Sequence, residues 1–270
     1  MGNDLSMDYI RQVQELVQKV SGMAKKEGKA SGFCIGNTTK LDAQGLYFTP
    51  IRDTSVMVVG GVIVYSEKQA IDITEVVDGQ VQYVLVDAEK KIPDRISGEF
   101  ANVERVVREA LQVSTLWIYK GNDLSVEAVD VLLTQLTKKS VRGLGGKKVA
   151  ILGAGNLGSK LALKLVERAA QVVITRRNKE ILDAITIAIN SIKPRYTHAR
   201  VVGMTDNEEA AKGAEVLIGT TVGTPVITSE IVANLAENAL IVDVGKGVLQ
   251  PEAFSVAQER GLDVYRLDIS

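Results

Sequence analysis

Apolar positions along this chain follow two rhythms. Over residues 8–26 they fall at Ile10, Val13, Leu16, Val17 and Val20, a spacing near 3.6 that predicts an amphipathic helix. Lys25, Lys26 and Lys29 gather at its end, where positive charge suits the helix dipole, and Gly28 and Gly32 break it. Short β-branched runs follow. Residues 56–59 and 62–64 read as strand material split by Gly60-Gly61, and 81–87 as a buried strand closing on Asp87. Helical spacing returns over 102–111, a strand over 115–120, and a helix over 125–136 with Val129, Leu132, Leu133 and Leu136 inward. This first half predicts a small α/β sheet of its own.

The second half is more regular. Strands are predicted over 149–152, 172–175, 199–202, 216–219, 240–244 and 264–267. Helices fall between them over 156–168, 179–192, 207–212, 228–235 and 251–260, the last with Pro251 in its first turn. Such alternation predicts a doubly wound parallel sheet with helices on both faces. A basic, glycine-rich stretch over 138–148 lies between the halves. The expected organisation is therefore α/β throughout: a smaller α/β domain over 1–137 that ends in the helix over 125–136, then a Rossmann domain over 138–270.

The first strand of the second half runs straight into Gly153-Ala154-Gly155-Asn156-Leu157-Gly158. A bare G-x-G-x-x-G is weak, but here a buried strand precedes it and an amphipathic helix follows. Gly153 would allow the tight turn, Gly155 the approach of a pyrophosphate, and Gly158 the packing of helix on strand. Free N–H groups at the helix start would face the phosphates. The bland alternative is a glycine-rich turn with no ligand.

The end of the next strand chooses between cofactors. A domain that prefers NAD places Asp or Glu there for the ribose 2′-hydroxyl. This chain has Thr175-Arg176-Arg177-Asn178, and no acid before Glu180. A carboxylate would repel a 2′-phosphate, whereas guanidinium groups bind one through their planar donor fork. The expected cofactor is NADP(H), with solvated surface arginines as the other reading.

Composition excludes more than it assigns. The chain has 270 residues, a formal net charge of -1, and 46% hydrophobic and 24% charged residues. That balance gives no electrostatic pull toward nucleic acid or an anionic membrane. No apolar run reaches the roughly 18 residues of a spanning helix, and the first seven residues carry no signal core. A cytoplasmic address is the expectation. One cysteine, Cys34, and one histidine, His198, argue against a disulfide, a structural zinc site or a Cys/His nucleophile pair. No metal is expected.

Over residues 147–247 the chain resembles the NADP-binding domains of shikimate dehydrogenases and of methylenetetrahydrofolate or methylenetetrahydromethanopterin dehydrogenases. Gly146 to Gly155 is similar to their entry strand, and Thr175-Arg176-Arg177-Asn178 occupies the place of the shikimate family's Asn-Arg-Thr. Gly219-Thr220-Thr221-Val222-Gly223-Thr224-Pro225 resembles the loop after their fourth strand, and Ile241-Val242-Asp243-Val244-Gly245 the folate family's Val-Ile-Asp-Val-Gly. The resemblance implies that Thr220, Thr221, Val222, Gly223, Val244 and Gly245 line the nicotinamide half of the cofactor. Lys120-Gly121-Asn122-Asp123 falls where the shikimate family has Asn-Thr-Asp-Gly, which implies an acid/base role for Asp123. The resemblance also implies that the helix over 125–136 is a connector between the two domains. The families' substrate motifs (Ser-x-Ser, Asn-Val-Thr-x-Pro-x-Lys, Tyr-x-x-x-Lys) are missing. The first domain thus diverges, and neither named activity carries over.

Hydride transfer also needs a proton donor or acceptor. The catalytic candidates are Lys120 and Asp123, expected in an interdomain cleft. Asp123 reads equally well as a helix N-cap. Lys40, Asn122 and Lys246 are substrate-binding candidates, with solvated surface the alternative for both lysines. Asp87 with Glu89, Lys90 and Lys91 reads as a solvated strand exit, and His198 as surface. The expectation is an NADP-dependent oxidoreductase acting on a small polar substrate. A methylene-tetrahydropterin dehydrogenase and a non-catalytic nucleotide-binding regulator are the alternatives. A homodimer is the base-rate expectation for assembly.

Overall fold

A computed structural model describes residues 3–38, 46–93 and 99–267. The candidate Lys40 lies outside the described residues. By its internal contacts the chain divides between Gly121 and Asn122.

The first unit runs α1 (Asn3–Glu27), β1 (Ala30–Asn37), β2 (Tyr47–Asp53), β3 (Met57–Val64), α2 (Glu67–Val77), β4 (Tyr83–Asp87), α3 (Val103–Ala110) and β5 (Thr115–Tyr119). Its sheet has the order β2-β3-β1-β4-β5, parallel except for the pairing of β2 with β3. Strand alternation sends Phe33, Ile35, Val62, Val64, Val84 and Val86 to one face. There they pack on Val13 and Val17 of α1, Ile73 and Val77 of α2, and Val106 and Val107 of α3.

Sequence patterning does not predict β1, β2 or α2. Gly28 ends α1 as expected, at φ +65°, but Gly32 lies inside β1. That strand is rich in Gly, Ser and Ala and weak in β-branched residues, so pairing with β3 and β4 decides its conformation rather than local propensity. The same pairing carries β3 unbroken through Gly60 and Gly61, opposite Phe33 and Cys34. Helix α2 hides its apolar stripe behind Thr74, which is fully buried and donates to the Ala70 carbonyl at 2.7 Å.

The second unit opens with α4 (Gly121–Leu136) and continues as β6 (Lys148–Leu152), α5 (Asn156–Glu167), β7 (Gln171–Thr175), α6 (Lys179–Ile192), β8 (Val201–Met204), α7 (Asn207–Ala211), β9 (Val216–Gly219), α8 (Ser229–Ala233), β10 (Leu240–Asp243), α9 (Pro251–Glu259) and β11 (Asp263–Arg266). Its six strands are all parallel, in the order β11-β10-β9-β6-β7-β8. Numbered within the unit, that is 6-5-4-1-2-3, the order of doubly wound dinucleotide-binding sheets. Both faces are buried over the central strands, which explains the apolar runs of β6, β7, β9 and β10. Val149, Ile151 and Ile174 meet Leu161 and Leu165 of α5 and Leu182 of α6 on one face. Ala150, Leu152, Leu217 and Ile241 meet Ile231 and Val232 of α8 and Ala253 and Ala257 of α9 on the other.

Helix α4 belongs to this second unit. Val126, Val129 and Leu133 enter the α5–α6 core. Three ion pairs tie it to α5 and the cap residue that ends α5: Asp123–Lys160 at 2.5 Å, Glu127–Lys164 at 2.6 Å and Asp130–Arg168 at 2.5 Å. The glycine-rich stretch over 138–148 therefore joins α4 to β6 within one unit, and the division falls at the first residue of α4.

Candidate functional site

The loop from β6 to α5 shows which of its glycines the protein itself requires. Gly153 adopts φ +112°, a backbone that L side chains rarely take. A side chain at Gly158 would place Cβ 2.2 Å from the Gly153 carbonyl oxygen, so α5 can lie against β6 only with glycine there. Gly155 differs. A Cβ there would meet nothing within 4 Å, and the residue is exposed. The protein's own packing gives no reason for glycine at 155, whereas the close approach of a ligand would. Gly155 caps α5 without a side-chain hydrogen bond. The N–H groups of Asn156, Leu157 and Gly158 belong to the first turn, where no intrahelical acceptor exists, at the positive end of the helix dipole. This cradle fits a dinucleotide's pyrophosphate.

Neighbouring strand ends brace the loop. Ala154 N donates to the Thr175 carbonyl at 2.6 Å, and Gly153 N to Thr175 Oγ1 at 3.3 Å. Thr220 Oγ1 donates to the Gly153 carbonyl at 2.7 Å, and Thr220 N to the Leu152 carbonyl at 2.9 Å. Thr175 and Thr220 thus position the loop. Leu157 packs on the α5–α6 core.

Thr175, Arg176, Arg177 and Asn178 divide their labour. Thr175 is buried in the brace. Arg176 folds back so that Nη1 donates to the Ala154 carbonyl at 2.7 Å, which leaves its buried Nε without a partner. Arg177 is exposed. Asn178 caps α6, its Oδ1 accepting from Ile181 N at 3.0 Å.

The loops after β9 and β10 meet at the Gly219 carbonyl, which accepts from Val244 N at 3.0 Å and Gly245 N at 3.1 Å. Thr221 Oγ1 donates to the Thr224 carbonyl at 3.0 Å. Beyond it Val222 is 68% exposed and Gly223 turns at φ +61°. Asp243, at the end of β10, is a buried acid that sequence reasoning did not single out. It is 7% exposed; Oδ2 accepts from Gly247 N at 2.8 Å, while Oδ1 is buried without a partner. The available signal was an acid closing an otherwise apolar strand. Lys246 is half-buried at φ +60°, a conformation costing a non-glycine residue about 1–2 kcal/mol.

The remaining candidates separate. Lys120 is exposed in the first unit, and Asp123 pairs with Lys160 in the second. Helix α4 begins at Gly121, so Asp123 lies in its first turn and is not its N-cap. Asn122 Nδ2 donates to Asn156 Oδ1 at 3.3 Å, which brings a substrate candidate onto the phosphate loop.

In the first unit Asp87 is not a solvated exit. It is 3% exposed and pairs with Lys91 at 2.6 Å, and Lys91 also holds Glu89 at 3.0 Å. Burial opposes the Lys91 charge, but the two carboxylates outweigh it and hold its pKa above the usual value. Cys34 Sγ lies 2.9 Å from Tyr119 Oη. Burial pushes both groups up, so the thiol stays protonated and is a poor nucleophile. His198 is exposed, as expected. Among the described residues no helix is long and apolar enough to cross a membrane.

A family model described as "NADP oxidoreductase coenzyme F420-dependent" matches residues 148–247. Comparison with curated proteins found no match. Among solved structures the chain is similar to a dipicolinate synthase from Bacillus halodurans, at 16% identity over 89% of this chain and 90% of that one, with a TM-score of 0.44. It is also similar to L-tryptophan dehydrogenase from Nostoc punctiforme, at 14% identity over 89% and 70%, with a TM-score of 0.47. A third is the NADPH-dependent glyoxylate/hydroxypyruvate reductase from Sinorhizobium meliloti, at 16% identity over 55% and 84%, with a TM-score of 0.39. The strand order, the phosphate loop and the family match together make residues 148–247 a nicotinamide-dinucleotide-binding Rossmann segment of the dehydrogenase and reductase kind.

Proposed function

We propose that this protein binds NADP(H) and transfers a hydride between the nicotinamide and a small polar substrate carrying a carbonyl, hydroxyl or C=N group. The observation that carries the reading is the unfilled space at Gly155, at the open start of α5, beside an arginine pair with no carboxylate. The N–H groups of residues 156–158 hold the pyrophosphate. Arg177 takes the 2′-phosphate, and Arg176 keeps the loop closed beneath it. Thr221, Val222, Gly223, Val244 and Gly245 bound the nicotinamide side, where the orphaned Asp243 oxygen accepts from a donor on the bound group. Lys246, set by its left-handed backbone, offers an ammonium to an anionic substrate group. When bound, the nicotinamide supplies or accepts the hydride. The cofactor-side loops that resemble those of shikimate and methylenetetrahydrofolate dehydrogenases support the nucleotide half of this reading, and a methylene-tetrahydropterin is the alternative substrate.

Titration with NADPH and NADH, followed by nicotinamide fluorescence, tests the cofactor. Wild type should bind NADPH the more tightly, and Arg177→Ala should lose about ten- to a hundredfold in NADPH affinity, ~1.4–2.8 kcal/mol, with NADH little changed. Equal binding of both nucleotides, or none, rejects it. A second reading, a nucleotide-binding regulator without chemistry, is favoured by the engagement of Asp123 in the α4–α5 ion pairs. It predicts NADPH binding with no oxidation in a screen of carbonyl and imine substrates.

A further inference from the structure

The two edges of the first unit's sheet are built differently. Strand β2 carries the devices that keep an edge from pairing: Pro50, the charges of Arg52 and Asp53, and a register irregularity between Thr49 and Arg52. Strand β5, at the other edge, carries none. Its sequence is Thr115-Leu116-Trp117-Ile118-Tyr119, without charge or proline, and Trp117 and Ile118 are 47% and 46% exposed. Among the described residues no strand lies beyond it. Thr115 N donates inward to the Gln82 carbonyl, and the Tyr119 carbonyl accepts from Ala88 N. Odd-numbered residues of β5 therefore bond to β4, and the N–H and C=O groups of Leu116 and Ile118 point to the open side. Such a row calls for another strand.

We infer that β5 pairs antiparallel with β5 of a second copy of this chain, about a two-fold axis at Trp117, joining two five-stranded sheets into one of ten. The segment is self-complementary. The axis sets Leu116 opposite Ile118 of the second copy, and Ile118 opposite its Leu116. These are the residues whose backbone groups face outward, so both pairs close with reciprocal hydrogen bonds. Trp117 then meets its own copy at the non-hydrogen-bonded position, where Cα atoms approach to about 4.5 Å and side chains pack most closely. Trp117 already stacks on Tyr83, with ring centroids 4.4 Å apart, so the axis gathers four aromatic rings on one sheet face. No charged side chain on β5 opposes a like partner. An isologous contact of this kind closes at two copies, leaving β2 as the protected outer edge on each side.

Trp117 is the only tryptophan, so its fluorescence reports on this contact and no other. Sedimentation velocity and tryptophan emission are measured along one dilution series of the full chain, with Ile118→Lys in parallel. The expected result is a dimer whose dissociation on dilution brings a red shift and stronger acrylamide quenching. Ile118→Lys should be monomeric with the emission of the diluted wild type, while keeping its cooperative melt and its NADPH affinity. A wild type that is monomeric at every concentration overturns the inference. So does a dimer that dissociates with the emission unmoved, or one that persists in folded Ile118→Lys.

Discussion

At the scale of single residues, the three glycines of the phosphate loop separate folding from binding. Gly158 is needed for the protein's own packing: an added Cβ would collide with the backbone oxygen of Gly153. Gly158→Ala should lower stability by about 1–3 kcal/mol and disturb the loop. Gly155→Ala meets no protein atom. It should leave the melting curve of the free protein within ~0.5 kcal/mol of wild type, yet weaken NADPH at least about tenfold. Thermal melts with and without NADPH distinguish the two, and equal loss of stability in both would reject the division. Asp78 offers a residue-scale test in the first unit. Burial works against its charge, but the N–H groups of Ser114, Gln112 and Val113 outweigh it and hold the carboxyl below the usual range. A depressed folded pKa contributes stability that is present above the unfolded value of about 3.9 and is lost as pH falls below it. Asp78→Asn should cost about 1–3 kcal/mol at neutral pH. It should also flatten the wild type's loss of stability between about pH 5 and about pH 2, as read by urea melts. The sequence marked the loop glycines and Arg177 because their chemistry is local. It was silent about Asp78, whose three donors come from a segment more than thirty residues away.

Elements show where local pattern suffices and where it fails. In the second unit, helix and strand rhythms match the structure to within a residue or two, because both sheet faces are covered and the central strands β6, β7, β9 and β10 each carry a run of three or more buried or half-buried apolar residues. In the first unit β1 has no such signal, and its neighbours impose the strand. Helix α4 is legible as a helix, but its allegiance is not. The pattern that turns Val129 and Leu133 inward does not say which core receives them. The structure places them with α5 and α6 and pairs Asp123, Glu127 and Asp130 with cations of α5 and its C-cap. Leu133→Ala, at a fully buried position, should cost about 2–5 kcal/mol in the unit that NADPH stabilises. Calorimetry with and without NADPH checks this: the loss belongs to the transition that the nucleotide shifts. A loss confined to the other transition would assign α4 to the first unit.

At the scale of the whole molecule, the sequence by itself determined the class of fold, the doubly wound sheet, the place of the phosphate loop and the basic end of β7. These follow from periodicity, from turn chemistry and from residue types at short fixed spacings, all of which act within about 30 residues of chain. Only the tertiary structure decided which glycine leaves space for a ligand, which arginine folds back onto the loop, and that Asp243 keeps a bare buried oxygen. It also decided that Asp123 is held by Lys160 and that one sheet edge is guarded while the other is open. Each of these depends on what long-range packing brings to within a few ångströms, and a one-dimensional pattern carries no such distance.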